Sequence, residues 1–298
     1  MNRRAMLAIV ASIAGSASCL ADPVELSAFV ALPRPEPTLQ VRYGEAPSQA
    51  IDVFVPSGSG PHPVAILIHG GCWSATTAGR EQVRHLGAEL TQRGIAVWSI
   101  GYRRANEPGG GYPGTFQDVS VAMDRLRVEA PAHGLDLSRT VVVGHSAGGH
   151  LALWASARSA LPTTSPVHAP SPFVPRAVIS LAGIGDLERF ARFVPLHCGP
   201  GILKRLAPPE RLAEVSPAIL PPPEAPVVMV SGVLDRLVPP YVAHDYARAQ
   251  RGKPGGAVRL VNISEAGLFD LVTPGTPAWE EVRRLIEAAL GIGSPARD

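Results

Sequence analysis

One stretch decides the fold: Thr140-Val-Val-Val-Gly-His-Ser-Ala-Gly-Gly-His150. It begins as a β-branched run, passes through the pentapeptide Gly-His-Ser-Ala-Gly at 144–148, and leads into the apolar helical run at 151–155. Small residues permit a sharp turn from strand to helix, which exposes the hydroxyl of Ser146 beyond the sheet. The following helix directs its amide groups and its positive dipole end at the same place. The stretch therefore predicts that Ser146 is a nucleophile.

Strand-like and helix-like segments alternate on both sides of this turn. The runs that suit strands lie at 39–43, 51–55, 64–68, 95–100, 141–143, 177–181, 227–230 and 258–263. The first two alternate apolar and polar residues, whereas the later ones are mostly continuous, as parallel strands covered on both faces are. Helical patterns occupy 116–128 and 279–289. The alternation predicts one α/β domain over 38–298, with a parallel central sheet, an antiparallel start and flanking helices.

Two proline-containing segments interrupt the pattern. Residues 22–37 carry four prolines and predict an irregular N-terminal arm. Residues 186–226 are also rich in proline, and we interpret them as an insertion over the carboxyl edge of the sheet, where a substrate pocket would lie. The roles of Trp73, Tyr102, Tyr112 and the glycines at 109–111 stay open between this pocket and the core or a loop.

Composition excludes several classes of protein. The 298 residues include 27 Lys and Arg against 25 Asp and Glu, a formal charge of +2 that becomes zero without Arg3 and Arg4. Such a chain has no field that would hold nucleic acid or an anionic membrane surface. With 46% hydrophobic and 17% charged residues it is globular rather than disordered. Its 30 Gly and 31 Pro follow no short period, which excludes collagen-like and repeat architectures.

The first 21 residues resemble an export signal. Two arginines precede an apolar run of about ten residues, which is too short to span a bilayer, and small residues follow. Cleavage is expected after Ala21 or Ser18, with lipoprotein cleavage before Cys19 as the alternative. The protein is thus predicted to be periplasmic or secreted. Beyond the signal only Cys72 and Cys198 remain, which permits one disulfide; two free buried thiols are the favoured interpretation.

A second motif, His69-Gly-Gly-Cys-Trp73, follows the strand-like run that ends at Ile68. Its two glycines let the backbone approach a ligand closely. With both motifs, the chain from about Leu39 onward resembles the α/β-hydrolase superfamily, in particular its esterase and lipase branch and the arylformamidase-like members with His-Gly-Gly-x-Trp. The resemblance implies an oxyanion hole formed by the amides of Gly71, Cys72 and Ala147, with His69 in a structural role. This chemistry needs no metal and no organic cofactor.

The acid of a catalytic triad should follow a late strand. Asp235 lies in such a place, between the run at 227–230 and Pro239, and it resembles the family's strand, Gly, Asp, Val-Pro turn. An Asx-type turn is the structural alternative for this residue.

At the position of the family's catalytic base, this chain departs from the family's pattern. Members of the family carry a histidine shortly after the last strand, commonly as Gly-x-His-Phe-Asp, and here the equivalent position holds Leu268, between Gly267 and Phe269. The nine histidines are His62, His69, His85, His133, His145, His150, His168, His197 and His244. None follows His244. His197, in the insertion, could overhang the pocket and is the main substitute candidate; His145 should point away from Ser146.

Three hypotheses follow. The first is a serine hydrolase scaffold for small carboxylic esters or aryl formamides, crippled because leucine cannot accept the proton of Ser146. The loss of histidine would be either natural or a recent or deliberate change. The second is a binding protein that keeps the pocket without turnover. A zinc hydrolase is a distant third, because no histidine pair has metal-ligand spacing. No nucleic-acid partner and no membrane span are expected, and the sequence leaves the oligomeric state open.

Overall fold

The computed structural model describes residues 22–77 and 79–292, so the predicted export signal lies outside the described residues. Its centre is an eight-stranded sheet with the spatial order β1-β2-β4-β3-β5-β6-β7-β8. The strands are β1 (Leu39–Arg42), β2 (Ala50–Phe54), β3 (His62–Ile68), β4 (Ala96–Ile100), β5 (Leu135–His145), β6 (Ala177–Leu181), β7 (Val227–Gly232) and β8 (Val258–Ile263). β1 pairs antiparallel with β2, and β2 with β4, while the remaining pairs are parallel.

The sheet confirms the predicted fold class. Continuous apolar runs became parallel strands because both faces are covered: residues 64–66 and 141–142 in the central pair β3 and β5 are fully buried. Strand β8 lies at the edge and is only half-buried. β3 and β4 exchange places relative to their chain order, which is the crossover that a parallel connection requires.

Helices cover both faces of the sheet. They are α1 (Leu26–Val30), α2 (Arg84–Gln92), α3 (Gly114–Glu129), α4 (Ala147–Ala157), α5 (Leu187–Phe190), α6 (Val194–Cys198), α7 (Ile202–Leu206), α8 (Leu212–Val215), α9 (Tyr241–Gln250) and α10 (Pro277–Ala289). Every residue of α4 is buried, so this helix is the central one. None of the helices in the described part of the chain is long and apolar enough to cross a bilayer.

The two interrupting segments have structure of their own. The insertion between β6 and β7 holds the four short helices α5 to α8. The arm, predicted to be irregular, contains the helix α1, whose Phe29 is buried in the core. The pattern that forms this turn is Leu26, Phe29 and Val30, spaced as one face of a helix.

Candidate active site

Ser146 stands at the sharp turn between β5 and α4. Its backbone has φ 53° and ψ −116°, in the left-handed half of conformational space that non-glycine residues rarely occupy. The turn is held from below by close packing: a Cβ at Gly148 would lie 2.1 Å from the Ile68 carbonyl oxygen and one at Gly144 2.1 Å from that of Gly148. Glycine is therefore required at both positions, and the serine is lifted beyond the end of the sheet.

The His-Gly-Gly-Cys loop packs directly against this turn. A Cβ at Gly70 would lie 2.8 Å from the His145 carbonyl oxygen and 3.3 Å from Cβ of Ser146. The loop continues through three successive left-handed residues, with φ 99° at Gly71, 57° at Cys72 and 51° at Trp73. This unusual course brings the backbone of the loop to the mouth of the turn.

Buried side chains fix the loop in place. Nδ1 of His69 donates to the Gly70 carbonyl at 2.8 Å, and the ring stacks on Tyr102 with 4.4 Å between centroids. The Tyr102 hydroxyl donates to the His69 carbonyl at 2.9 Å. Burial lowers the pKa of His69 to about 3, so the ring is neutral near pH 7. His69, Tyr102 and Trp73 are all buried, which places the two aromatic residues in the core rather than in the pocket.

Three backbone amides, those of Gly71, Cys72 and Ala147, were predicted to form an oxyanion hole. Among the described residues, no backbone carbonyl accepts a hydrogen bond from the amide of Gly71 or Cys72. Ala147 is the first residue of α4, and first-turn amides have no acceptor within their own helix. Gly71 and Cys72 line the same cavity as Ser146. The arrangement therefore offers free donors beside the serine, although Ala147 itself is not part of the cavity wall.

Asp235 lies in the turn that follows β7 and is 4% exposed. Its Oδ1 accepts hydrogen bonds from the amides of Leu237 at 2.8 Å and Val238 at 2.9 Å, which is the Asx-type turn considered from the sequence. Its Oδ2 is buried and has no hydrogen-bond partner among the described residues. Burial raises the pKa of Asp235, and hydrogen bonds from the amides of Val238 and Leu237 oppose this rise. The carboxylate thus has one structural oxygen and one free oxygen.

The loop after β8 holds Leu268 next to the Asp235 turn. The amide of Leu234 donates to the Ala266 carbonyl at 2.9 Å, and a Cβ at Gly232 would lie 2.3 Å from the same oxygen. The Leu268 side chain lines the cavity, and its carbonyl accepts from Nε2 of His145 at 3.2 Å. Position 268 is therefore beside both the serine cavity and the acid turn, and it carries no group that could accept a proton.

The cavity has a volume of about 670 Å³ including its mouth. Its wall consists of Leu26, Phe29, His69, Gly70, Gly71, Cys72, Thr77, Gln82, Val83, His145, Ser146, His197, Leu237, Leu268 and Phe269. No Asp, Glu, Lys or Arg side chain of the described residues belongs to it. It brings together four of the predicted site residues, Ser146, Gly71, Cys72 and Leu268, in a largely apolar surface, and Asp235 and Ala147 are not among its lining residues.

The sequence predicted only part of this wall. Leu26 and Phe29 of the arm, Val83, Leu237 and Phe269 were not identified as pocket residues. The sequence did contain one indication: Leu26 and Phe29 are spaced as one face of a helix within the proline-containing arm. An irregular exposed segment would not require that spacing.

Three histidines near Ser146 differ in what they can do. His145 is buried and directs Nε2 to the Leu268 carbonyl; burial lowers its pKa to about 4. His150 accepts from Nε1 of Trp73 at Nδ1 and donates from Nε2 to the Val215 carbonyl at 2.8 Å, so both of its nitrogens are used. His197, exposed on α6, lines the cavity, so the main substitute candidate does lie at the pocket.

The favoured interpretation of the cysteines as free thiols is wrong: Cys72 and Cys198 form a disulfide, with 5.1 Å between their Cα atoms. The loop after β3 and the insertion meet at the same carboxyl edge of the sheet, which brings the two residues within bonding distance. The bond ties the His-Gly-Gly-Cys loop to the helix that carries His197. Within residues 22–77 and 79–292, no group of three His, Cys, Asp or Glu side chains could hold a metal ion.

Comparison with known proteins places this site in a family. The family model described as BD-FAE matches residues 51–248. The chain belongs to the BD-FAE family. That region contains the His-Gly-Gly-Cys loop, Ser146 and Asp235, but it ends before Leu268.

Similar proteins point the same way. The chain is 34% identical to a kynurenine formamidase of Danio rerio over 116 residues, 38% of this chain and 36% of that protein. It is 34% identical to a probable isoprenylcysteine alpha-carbonyl methylesterase of Oryza sativa over 113 residues, 38% of this chain and 26% of that protein. The match thus covers about a third or less of these relatives. Esterase LipC of Mycobacterium tuberculosis is 27% identical over 78% of this chain and 60% of its own length.

Solved structures show the same fold. Esterase B from Lactobacillus rhamnosis superposes with a TM-score of 0.71 at 19% identity, over 89% of this chain and 90% of that one. A truncated carbohydrate esterase from gut microbiota gives 0.69 at 19% identity, over 91% and 100%. The solved structures confirm the fold, and the family model with the curated relatives confirms the resemblance to the esterase branch of the α/β hydrolases.

Proposed function

We propose that this protein is a serine hydrolase scaffold for small uncharged carboxylic esters, with aryl formamides as the second substrate class, and that Leu268 cripples its turnover. Ser146 would be the nucleophile, Asp235 the acid, and Gly71, Cys72 and Ala147 the oxyanion donors. The observation that carries the proposal is the strained turn at Ser146, which opens into one cavity with the His-Gly-Gly-Cys loop and position 268.

The reaction would begin with attack of the Ser146 hydroxyl oxygen on the ester carbonyl carbon. The carbonyl oxygen, becoming negative, would accept hydrogen bonds from amides that donate to no backbone carbonyl of the described residues, as preorganised donors do in acyl transfer. The hydroxyl proton must leave as the new bond forms, and the leucine side chain has no lone pair to take it. Loss of this single triad member lowers turnover on the order of a millionfold, about 8 kcal/mol of barrier.

The formamide alternative rests on the likeness to a kynurenine formamidase, which is 34% identical over 116 residues. Both substrate classes need the same nucleophile and the same oxyanion donors, and they differ in the leaving group. Rates with p-nitrophenyl acetate and with N-formylaniline would rank the two.

A binding protein on a hydrolase fold is the second candidate. The observation in its favour is Leu268, which fills the base position with an apolar side chain of the cavity wall. In that case the pocket would hold an uncharged ligand without chemical change.

A rate comparison separates the two candidates. We expect slow p-nitrophenyl acetate hydrolysis by the parent protein and a further loss in Ser146→Ala. Ser156→Ala is the matched control, because Ser156 lies in the same helix and its hydroxyl only donates to the Ala152 carbonyl at 2.9 Å. Equal rates in the parent and in Ser146→Ala would favour the binding protein.

We also propose that the protein is exported and that its mature chain begins near Asp22. The charged start and short apolar run support this, as does a disulfide, which persists in oxidising compartments. N-terminal sequencing of protein from the cell exterior or periplasm should begin near Asp22. A chain that still starts at Met1 would contradict export.

A further inference from the structure

The N-terminal arm, residues 22–37, contributes to the wall of the serine cavity. Two residues of its helix α1, Leu26 and Phe29, belong to the cavity wall. Neither motif of the chemistry involves this segment, and the family model begins only at residue 51. The arm is therefore a part of the pocket contributed from outside the matched region.

Two contacts hold the arm against the loop that carries Leu268. One carboxylate oxygen of Asp270, Oδ2, accepts from the amide of Val24 at 3.1 Å and from the amide of Gly267 at 2.9 Å. The Phe29 ring stacks on Phe269 with 5.0 Å between centroids. A polar contact and an aromatic contact thus hold the arm against the two neighbours of Leu268.

Leu26 differs from Phe29 in one informative respect. Phe29 is 5% exposed, as a core residue is, whereas Leu26 lines the cavity and is 53% exposed. An apolar side chain left half-open at a cavity gains burial only when something apolar fills the space beside it. The cavity wall carries no Asp, Glu, Lys or Arg side chain of the described residues and is mostly apolar, which favours an uncharged occupant.

We infer that the arm is the specificity element of this pocket: Leu26 and Phe29 receive the uncharged apolar chain of the substrate and limit its length. This inference rests on the proposed function. Filling the space beside Leu26 with methylenes should strengthen binding by about fourfold for each one buried. Beyond the wall formed by the arm, further methylenes meet protein or water and add nothing.

The experiment measures binding rather than turnover, so that it does not depend on the missing base. Straight-chain alkylboronic acids from ethyl to octyl are the probes, because the serine hydroxyl can replace one boron hydroxyl and release water, an exchange with no net proton loss, while the alkyl chain reports on the pocket. Dissociation constants for the full-length folded protein are measured by isothermal titration calorimetry. In the parent, affinity should rise with chain length and then reach a limit.

Two opposite substitutions at one position test the arm. Leu26→Ala should move the limit to longer chains, and Leu26→Trp should move it to shorter ones, each by at least one methylene. Because Leu26 is half-exposed, neither change removes a core contact, and thermal unfolding checks that both proteins are folded. Val128→Ala, at a 69% exposed position on α3 outside the cavity wall, is the control and should keep the parent profile.

The outcomes separate this inference from the proposed function. If the chain-length limit is the same in the parent, Leu26→Ala and Leu26→Trp while Ser146→Ala abolishes binding, the arm inference is wrong and the serine assignment stands. If Ser146→Ala binds the probes as the parent does but the limit shifts with position 26, the arm forms the pocket and the nucleophile assignment fails.

Discussion

Replacing Leu268 with histidine should create a working esterase. In the proposed function the rest of the machinery would be a serine lifted beyond the sheet, amides beside it that no backbone carbonyl of the described residues pairs with, and a buried Asp235 whose Oδ2 has no partner among those residues. The turn of Asp235 and the loop of Leu268 are joined by a backbone hydrogen bond, so an imidazole at 268 would lie next to the acid. Leu268→His therefore adds the proton acceptor and a donor for Oδ2 in one step.

The expected magnitudes follow from these contacts. General-base catalysis is worth about 10² to 10⁴ in rate, so kcat/KM for p-nitrophenyl acetate should rise at least about a hundredfold. Losing the buried leucine costs about 1.5–3 kcal/mol, and a hydrogen bond to a charged oxygen returns about the same amount. The thermal midpoint should consequently change little. The gain should also grow with pH through one ionisation that the parent lacks, because only neutral imidazole accepts a proton.

Two further variants make the result interpretable. Leu268→Asn can donate a hydrogen bond to Asp235 but cannot act as a base, so it should keep the parent rate. Ser146→Ala in the Leu268→His background should abolish the gain. A folded Leu268→His protein with an unchanged rate would refute the reasoning, because position 268 would then not be the base position.

Three other outcomes are expected. Cys198→Ser should lower the free energy of unfolding by about 2–5 kcal/mol. The parent protein, denatured without reductant, should expose no thiol of the mature chain to Ellman's reagent. Two reactive thiols would rule the disulfide out. Gly148→Ala should cost about 1–3 kcal/mol in urea titration, because its Cβ would lie 2.1 Å from a carbonyl oxygen at the end of β3, and an unchanged midpoint would show that the turn can relax. The free energy of unfolding should also fall as pH drops from about 6.5 to about 4, by up to about 4 kcal/mol per pH unit. Burial lowers the pKa of His69, His145 and His150, so the unfolded chain binds more protons than the folded chain in that pH range. Urea midpoints that match at pH 7 and pH 5 would contradict this expectation.

Local pattern was sufficient to predict most of the fold. All eight strands lie where apolar runs predicted them, because a strand covered on both faces needs a continuous run such as 64–68. The order of strands β3 and β4 in the sheet was not predictable, since it depends on pairing between segments far apart in the chain. Helix α1 was missed because prolines around it resemble a loop, and its stability comes from Phe29 packing on Phe269.

The site divides in the same way. The turn at Ser146 and the loop at Gly71 are local motifs whose spacing already specifies a backbone shape. The disulfide was misjudged because the sequence could place both cysteines near the carboxyl edge of the sheet but could not give the distance between residues 126 positions apart. The contribution of Leu26 to the cavity is likewise a contact between distant segments, and no local rule predicts it.

The bond between Cys72 and Cys198 has an evolutionary consequence. It joins Cys72, whose amide would stabilise charge in the reaction, to α6 of the insertion, which carries His197 of the cavity wall. A mutation that moves α6 to fit a new substrate would therefore also displace the Cys72 amide. Mutations in the insertion should therefore change substrate selectivity and reaction rate together. The N-terminal arm touches the pocket through noncovalent contacts alone among those described, one carboxylate oxygen and one aromatic stack. A descendant of this protein that changes its substrate while keeping its speed would be expected to carry its substitutions there.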